Sequence, residues 1–336
     1  TGANALEPGV LKGDILINMD SETEGELYVG CAGGIDTCGY FTPKFEDVPA
    51  GSKAFQLIVK GLKGGHSGMD IILGRANANK VMNTLLLMLT EKYNVRVADI
   101  QGGSLRNAIP RESFVTVTVS EKYADQLVAY IPEFEEVVKE QFAAVEPDMS
   151  ITAAPTEMPA KVMDKETIAN VIEAVAKYPN GVIAMSKDFE GTVETSSNLA
   201  IVKLVDGQIM TASLQRSLVD ASKEELAEKM RKLLENCGAK AESSGSYPGW
   251  KPNINSVIYN TMKKVYEDKY GKTPKTMVIH AGLECGILGS KYPNWDMVSF
   301  GPTLVFPHSP DEALKIDTVP LFWDFLVETL KNVPVK

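Results

Sequence analysis

Val298-Ser-Phe-Gly-Pro-Thr-Leu-Val-Phe-Pro-His-Ser-Pro-Asp-Glu312 is the stretch around which the chain is organised. Its apolar start reads as a buried strand, and it runs into a loop bracketed by Pro307 and Pro310 that presents one imidazole, His308, with the carboxylates of Asp311 and Glu312 behind it. Proline on either side restricts the backbone, so such a loop offers a metal ligand on a rigid frame. A lone loop histidine is more often solvated than ligating. The metal reading therefore needs a partner from elsewhere in the chain.

Composition narrows the search for that partner. The 336 residues, 44% of them hydrophobic, are enough to bury a large core and predict two domains rather than one. A formal charge of -10 and a pI near 5.0 argue against a nucleic-acid or anionic-membrane surface, which needs clustered Lys and Arg. Cys31, Cys38, Cys237 and Cys285 form no CxxC pair, so neither a disulfide framework nor a thiolate zinc site is predicted, and a reducing, cytoplasmic setting fits. The chain opens on Thr1-Gly-Ala-Asn-Ala without an initiator Met and is expected to be a fragment.

Asp14-Ile-Leu-Ile-Asn18 reads as a buried strand that delivers Asp20 at its carboxyl end, where α/β sheets bind ligands. Asp20 is thus a candidate ligand, against the alternative of a turn-forming or capping Asp. Glu26 to Gly34 reads as a further strand. From about Ser52 a half-exposed strand, the loop Gly64-Gly-His-Ser-Gly68, a helix over 71–93, strands over 95–100 and 113–120, a helix over 123–145 and a strand over 149–153 follow. This β-α-β-β-α-β order is that of a ferredoxin-like sandwich. A helix over 165–177, two strands flanking Asp206-Gly207, a helix over 224–236 and a strand over 239–247 predict a second sandwich beside it. After Pro248-Gly249-Trp250 the α/β character returns, with helices over 254–270 and 319–330 around strands at 276–280 and 295–300. The expected architecture is α/β: a discontinuous domain from residues 1–48 and 248–336, with residues 49–247 inserted as an α+β lid. Asp20 and His308 then share the carboxyl edge of one sheet.

Six motifs in order carry a resemblance: Asp14-Ile-Leu-Ile-Asn-Met-Asp-Ser-Glu22, Gly30-Cys-Ala-Gly-Gly34, Gly64-Gly-His-Ser-Gly68, Leu105-Arg-Asn-Ala-Ile-Pro-Arg111, His280-Ala-Gly-Leu-Glu-Cys-Gly286 and Gly301 to Glu312. From Thr1 to about Val333 the chain resembles the bacterial aminoacyl-histidine dipeptidases (peptidase D, or Xaa-His dipeptidases). These are co-catalytic di-zinc peptidases, as are carboxypeptidase G and the carnosinases. The resemblance implies that Asp20 binds one zinc and His308 the other, and that His66 is the lid histidine that polarises the scissile carbonyl. It further implies that Asn107 and Arg216 grip the substrate backbone and its terminal carboxylate, and that Glu284 lines the pocket beside the metals. Two zinc ions would activate a water for attack on the peptide. An arginine fork matching a free carboxylate would confine the enzyme to short peptides.

The sequence also departs from the family. The His-x-Asp strand end, the bridging Asp and the Glu-Glu pair that complete such a site are not in it, so the chain as given is expected to bind zinc weakly and to be inactive, while the whole protein is expected to be a metallodipeptidase. Hydrolysis of N-acyl amino acids or of a longer peptide's C-terminus, and a metal-free binding protein, are the rival readings. His280 reads as a packed histidine and Cys285 as a small buried hydrophobe. Monomer and homodimer both remain open, and with them whether His66 acts in cis or in trans.

Overall fold

The computed structural model describes residues 2–305 and 311–334. A short helix α1 (Gly2–Ala5) precedes β1 (Ile15–Asn18) and β2 (Glu26–Cys31). The next strand, β3 (Gly33–Phe41), belongs to a different sheet, and β4 (Phe45–Asp47) follows it. The glycine-rich run read as one strand is therefore two, parted at Ala32. The expected domain division at residue 48 falls too late, because the chain has already left its first sheet at Gly33. What moves it is that Gly33, Gly34 and Gly39 let neighbouring elements approach more closely than any side chain would allow.

The first half of the larger unit is built from β5 (Ser52–Lys60), β6 (Gly65–His66), α2 (Ala78–Tyr93), β7 (Arg96–Gly102), β8 (Ala108–Ile109), β9 (Ser113–Ser120), α3 (Glu121–Phe142) and β10 (Ser150–Pro155). Its four long strands lie in the order β10-β5-β9-β7, all antiparallel. Helix α2 starts later than its apolar period predicts. Gly74 adopts φ 64°, and Asn77 then caps the helix by accepting the amides of Asn79 and Lys80.

The second half comprises β11 (Lys161–Met163), α4 (Lys165–Lys177), β12 (Gly181–Met185), β13 (Val193–Val205), β14 (Gln208–Ser217), α5 (Asp220–Asn236) and β15 (Lys240–Tyr247). Its strands run β13-β14-β3-β15, so β3 is its missing first strand, contributed from before the whole first half. Asp206 and Gly207 both take positive φ, 50° and 76°, as a two-residue hairpin turn requires. The halves meet edge to edge where Gln101 and Gly102 of β7 pair with Lys203 and Val202 of β13, giving one nine-stranded sheet. A single core containing Leu57, Leu85, Leu127, Val171, Leu199 and Met230 lies between that sheet and the helices.

The chain then returns through α6 (Val257–Tyr270), β16 (Lys275–Ile279), α7 (Glu284–Lys291), β17 (Asp296–Ser299) and α8 (Thr318–Asn332). Here a four-stranded sheet runs β1-β17-β2-β16, so the two ends of the sequence fold together. Strands β1 and β17 are parallel, Ile15 opposite Asp296 and Asn18 opposite Ser299. Leu27, Val29, Met262, Val298 and Phe325 form the core under α6 and α8.

Candidate active site at the seam between the two sheets

The loop from Gly64 to Gly68 is shaped by its neighbours. Gly64 and Gly65 have φ 62° and 135°, and a β-carbon on Gly65 would lie 2.5 Å from an Asp70 carboxylate oxygen. That carboxylate instead accepts the His66 amide at 2.8 Å. Strand β6 pairs with β8, His66 opposite Ala108, and the Ser67 amide donates to the Asn107 carbonyl at 2.8 Å. His66 and Asn107 are thereby held side by side, with Asn107 exposed.

The imidazole orientation follows from the same turn. His66 Nδ1 accepts the amides of Gly68 at 3.2 Å and Met69 at 3.1 Å, which assigns the neutral ring its hydrogen on Nε2. Burial, with the nearby Arg216 charge, lowers the His66 pKa against the opposing pull of Asp70. The ring is a neutral donor near pH 7.

Arg216 reaches the same point from the end of β14. It is 4% exposed, its Nη1 donates to the Tyr247 phenol at 2.7 Å, and Nη2 lies 3.5 Å from both the Ser67 hydroxyl and His66 Nε2. Among the described residues it makes no ion pair, and its Nε is buried without a partner. A buried guanidinium so placed calls for an anion.

His280, at the end of β16, closes the seam from the other side. It is 7% exposed and its Nε2 lies 2.7 Å from the Ser196 hydroxyl on β13, a hydrogen bond between the two sheets. A β-carbon on Gly68 would stand 2.1 Å from the His280 carbonyl, so the His66 loop rests directly on this strand end. Glu284 is the exposed first residue of α7, just beyond Gly282, where an added β-carbon would meet the Tyr247 ring at 3.0 Å. Cys285 is fully buried and free, and burial pushes its thiol up to about 12, as befits a packing residue.

Asp20 is exposed on the turn that leaves β1, its amide donating to Asn18 Oδ1 at 3.2 Å. The chain leaving the parallel neighbour β17 runs against this turn: the Phe300 amide donates to the Asn18 carbonyl, and Ser21 and Ser299 share a hydroxyl hydrogen bond of 2.7 Å. His308 lies outside the described residues, as do the prolines next to it. Among the described residues no group of three or more His, Cys, Asp or Glu side chains could hold a metal ion. Those residues alone thus offer the Asp20 carboxylate and no complete metal site.

The structure therefore brings together His66, Asn107 and Arg216, and places Glu284 at the start of α7, two residues after the Gly282 that abuts Tyr247. Three members of the constellation had escaped the sequence. Ser67 and Ser196 carry no local signal, and Tyr247 announces itself only by standing at the chain's second passage between the sheets.

Comparison with known proteins supplies context for this geometry. Residues 57–146 match the family described as a peptidase dimerisation domain. The chain is 41% identical over 338 residues to the cytosol non-specific dipeptidase of Escherichia coli K12, covering 100% of this chain and 69% of that protein. It superposes on the crystal structure of aminoacylhistidine dipeptidase from Vibrio alginolyticus with a TM-score of 0.94 and 46% identity, over 99% of this chain and 68% of that one. The aminopeptidase PepT of Bacillus cereus, at 14% identity and a TM-score of 0.53 over 99% of this chain and 60% of that one, shares the fold alone. No helix among the described residues is long and apolar enough to cross a membrane.

Proposed function

The chain belongs to the M20 family of metallopeptidases, and from that membership we propose that it performs metal-dependent hydrolysis of dipeptides, Xaa-His among them, with a free amino and a free carboxyl end. The observation that carries the specificity is the Arg216 guanidinium, buried beside the His66 ring and without an ion pair among the described residues. Arg216 takes the substrate's terminal carboxylate, since a planar fork matches it bidentately and burial strengthens the pairing. Asn107, on the neighbouring turn, takes a polar group of the peptide backbone. Neutral His66 donates its Nε2 hydrogen to the carbonyl oxygen as negative charge develops there. Glu284 lines the far side of the pocket.

Bound metal in such an enzyme supplies an activated water at neutral pH. We assign zinc, with Asp20 as one ligand and His308 as another; carboxylate and imidazole both suit that ion. The cytosolic name of the 41%-identical relative supports a cytoplasmic setting, and the dimerisation-domain match supports a homodimer in which each His66 serves the Arg216 of its own chain.

The test is hydrolysis of alanyl-histidine beside its N-acetylated form, with and without chelation of metal. Cleavage of the free dipeptide alone, abolished by chelator and restored by zinc, is the expected result. Equal turnover of the acetylated substrate, or turnover indifferent to chelation, overturns the reading.

A further inference from the structure

Three neighbouring strands place Arg216, Gly34 and Tyr247 in one row. Arg216 on β14 is paired with Gly34 on β3, and Tyr247 on β15 is paired with the same Gly34 from the other side. Residues directly opposite across antiparallel strands project from the same face, so the arginine and the tyrosine both stand on the face where Gly34 has no side chain. The gap is occupied. A β-carbon on Gly34 would lie 2.4 Å from the Tyr247 phenol oxygen and 2.5 Å from the ring carbon that bears it. The ring therefore lies across the middle strand, and only across a glycine can its oxygen reach Arg216 Nη1 at 2.7 Å.

Tyr247 is also tied at its other end. Its carbonyl accepts Lys223 Nζ at 2.9 Å, and Lys223, 2% exposed, is itself paired with Asp220 at 2.8 Å. The ring edge abuts Gly282 in the loop that leads to Glu284. The phenol is thus fixed by backbone, by the neighbouring loop and by the absence of a side chain at Gly34.

We propose that Tyr247 is a positioning residue: its phenol, laid across Gly34, fixes the orientation in which the Arg216 guanidinium receives the carboxyl end of a short peptide. This rests on the assignment of Arg216 to that carboxylate. Without the phenol, Nη1 loses its hydrogen-bonded anchor, while the chemistry at the scissile bond is untouched. The effect belongs in KM, and only for substrates whose carboxylate is free.

The experiment compares alanyl-histidine with its C-terminal amide in the active metal-loaded enzyme and in the variants Tyr247→Phe, Gly34→Ala and Arg216→Gln. The expected result is that Tyr247→Phe raises KM for the free dipeptide about tenfold, with a smaller change in kcat, and leaves KM for the amide in place. Gly34→Ala, which keeps the phenol but denies it the space, shifts the ratio the same way. If Arg216→Gln erases the preference for the free carboxylate while Tyr247→Phe preserves it, the positioning role is overturned and the Arg216 assignment stands. If Arg216→Gln preserves the preference, the assignment falls and the inference falls with it. A Tyr247→Phe loss equal for both substrates would mark a merely structural tyrosine and also overturn the inference.

Discussion

Arg216 Nη2 and His66 Nε2 lie 3.5 Å apart, and because Nδ1 already accepts two amides, the facing nitrogens are both donors. On the proposed roles each turns to its own substrate oxygen, Arg216 to the terminal carboxylate and His66 to the carbonyl that reacts. Removing the imidazole tests the arrangement directly. His66→Ala is expected to lower kcat by about 10²–10³-fold, the cost of removing one oxyanion donor, with a smaller effect on KM.

The pH profile carries the same argument. Protonation would put a hydrogen on His66 Nδ1, which already accepts two amides, and would add charge beside Arg216, so the acidic form is the wrong one. Because burial lowers this pKa, the activity limb due to His66 lies below the ordinary histidine range. Profiles of kcat/KM for wild type and His66→Ala measure it; a His66-dependent limb above pH 6.5 contradicts the assignment.

His280 predicts a stability effect of defined sign. Burial lowers its folded pKa to about 3, and the nearby Arg216 charge contributes. Between that value and its unfolded pKa near 6.5, the unfolded chain binds the extra proton, so stability is complete above about pH 6.5 and falls as the pH drops. At pH 5 the loss from this one group amounts to about 2 kcal/mol. Denaturant midpoints at pH 5 and 7.5 should show that decline, and His280→Gln should flatten it.

Much of this was legible in the sequence because it is written in periodicity. The helix over 165–177 has those bounds in the structure, and the Asp206-Gly207 turn sits where its residue types demand φ > 0. The Asp20 edge was legible for the same reason, an apolar run ending in a carboxylate beside a second such run. What escaped depends on contacts distant in sequence. β3 has no clean alternation, and its pairing is decided by what its glycines admit from strands nearly two hundred residues later. Helix α7 is short, and Gly286 and Gly289 within it mute its helical signal. Tyr247 could be assigned only once Gly34 was seen beside it. His66 and Arg216 entered through motif resemblance, whereas their convergence is a property of the fold.

The seam between the two halves of the large sheet depends on one turn of α2. Lys80 Nζ donates to the carbonyls of Val175, Ala176 and Tyr178 at 2.7, 3.0 and 3.0 Å, satisfying the end of α4 with a cation where the helix is negative. Asn77 caps α2 and also donates to the Leu199 carbonyl at 2.9 Å. Lys80→Met keeps the stem and removes the donors; it should cost about 1–3 kcal/mol, the penalty for leaving part-buried acceptors without their donor. Asn77→Ala should cost at least as much, since it removes a cap worth about 1 kcal/mol along with the bond to Leu199. Urea denaturation of each variant gives the numbers, and a loss below 0.5 kcal/mol for both, taken as about the scatter of surface substitutions, would refute the role of this turn.

Gly301 provides a way to disturb the Asp20 edge without touching a candidate ligand. A β-carbon there would stand 1.7 Å from the Ser21 carbonyl, a distance that no side-chain adjustment relieves because the obstacle is backbone. Gly301→Ala must therefore push the Asp20-Ser21 turn away from the end of β17 and break the hydroxyl contact between Ser21 and Ser299. The core beneath is separate, so the fold should survive with a loss of about 1–3 kcal/mol, the usual cost of forcing extra volume into a packed site. If Asp20 is a metal ligand, the displaced turn weakens metal binding: activity should fall at least about tenfold, as expected when a ligand is misplaced by an ångström, and should recover in part with excess zinc. Metal titration by calorimetry, with circular dichroism to verify folding, separates the cases. Unchanged metal affinity in a folded Gly301→Ala variant would remove Asp20 from the metal site.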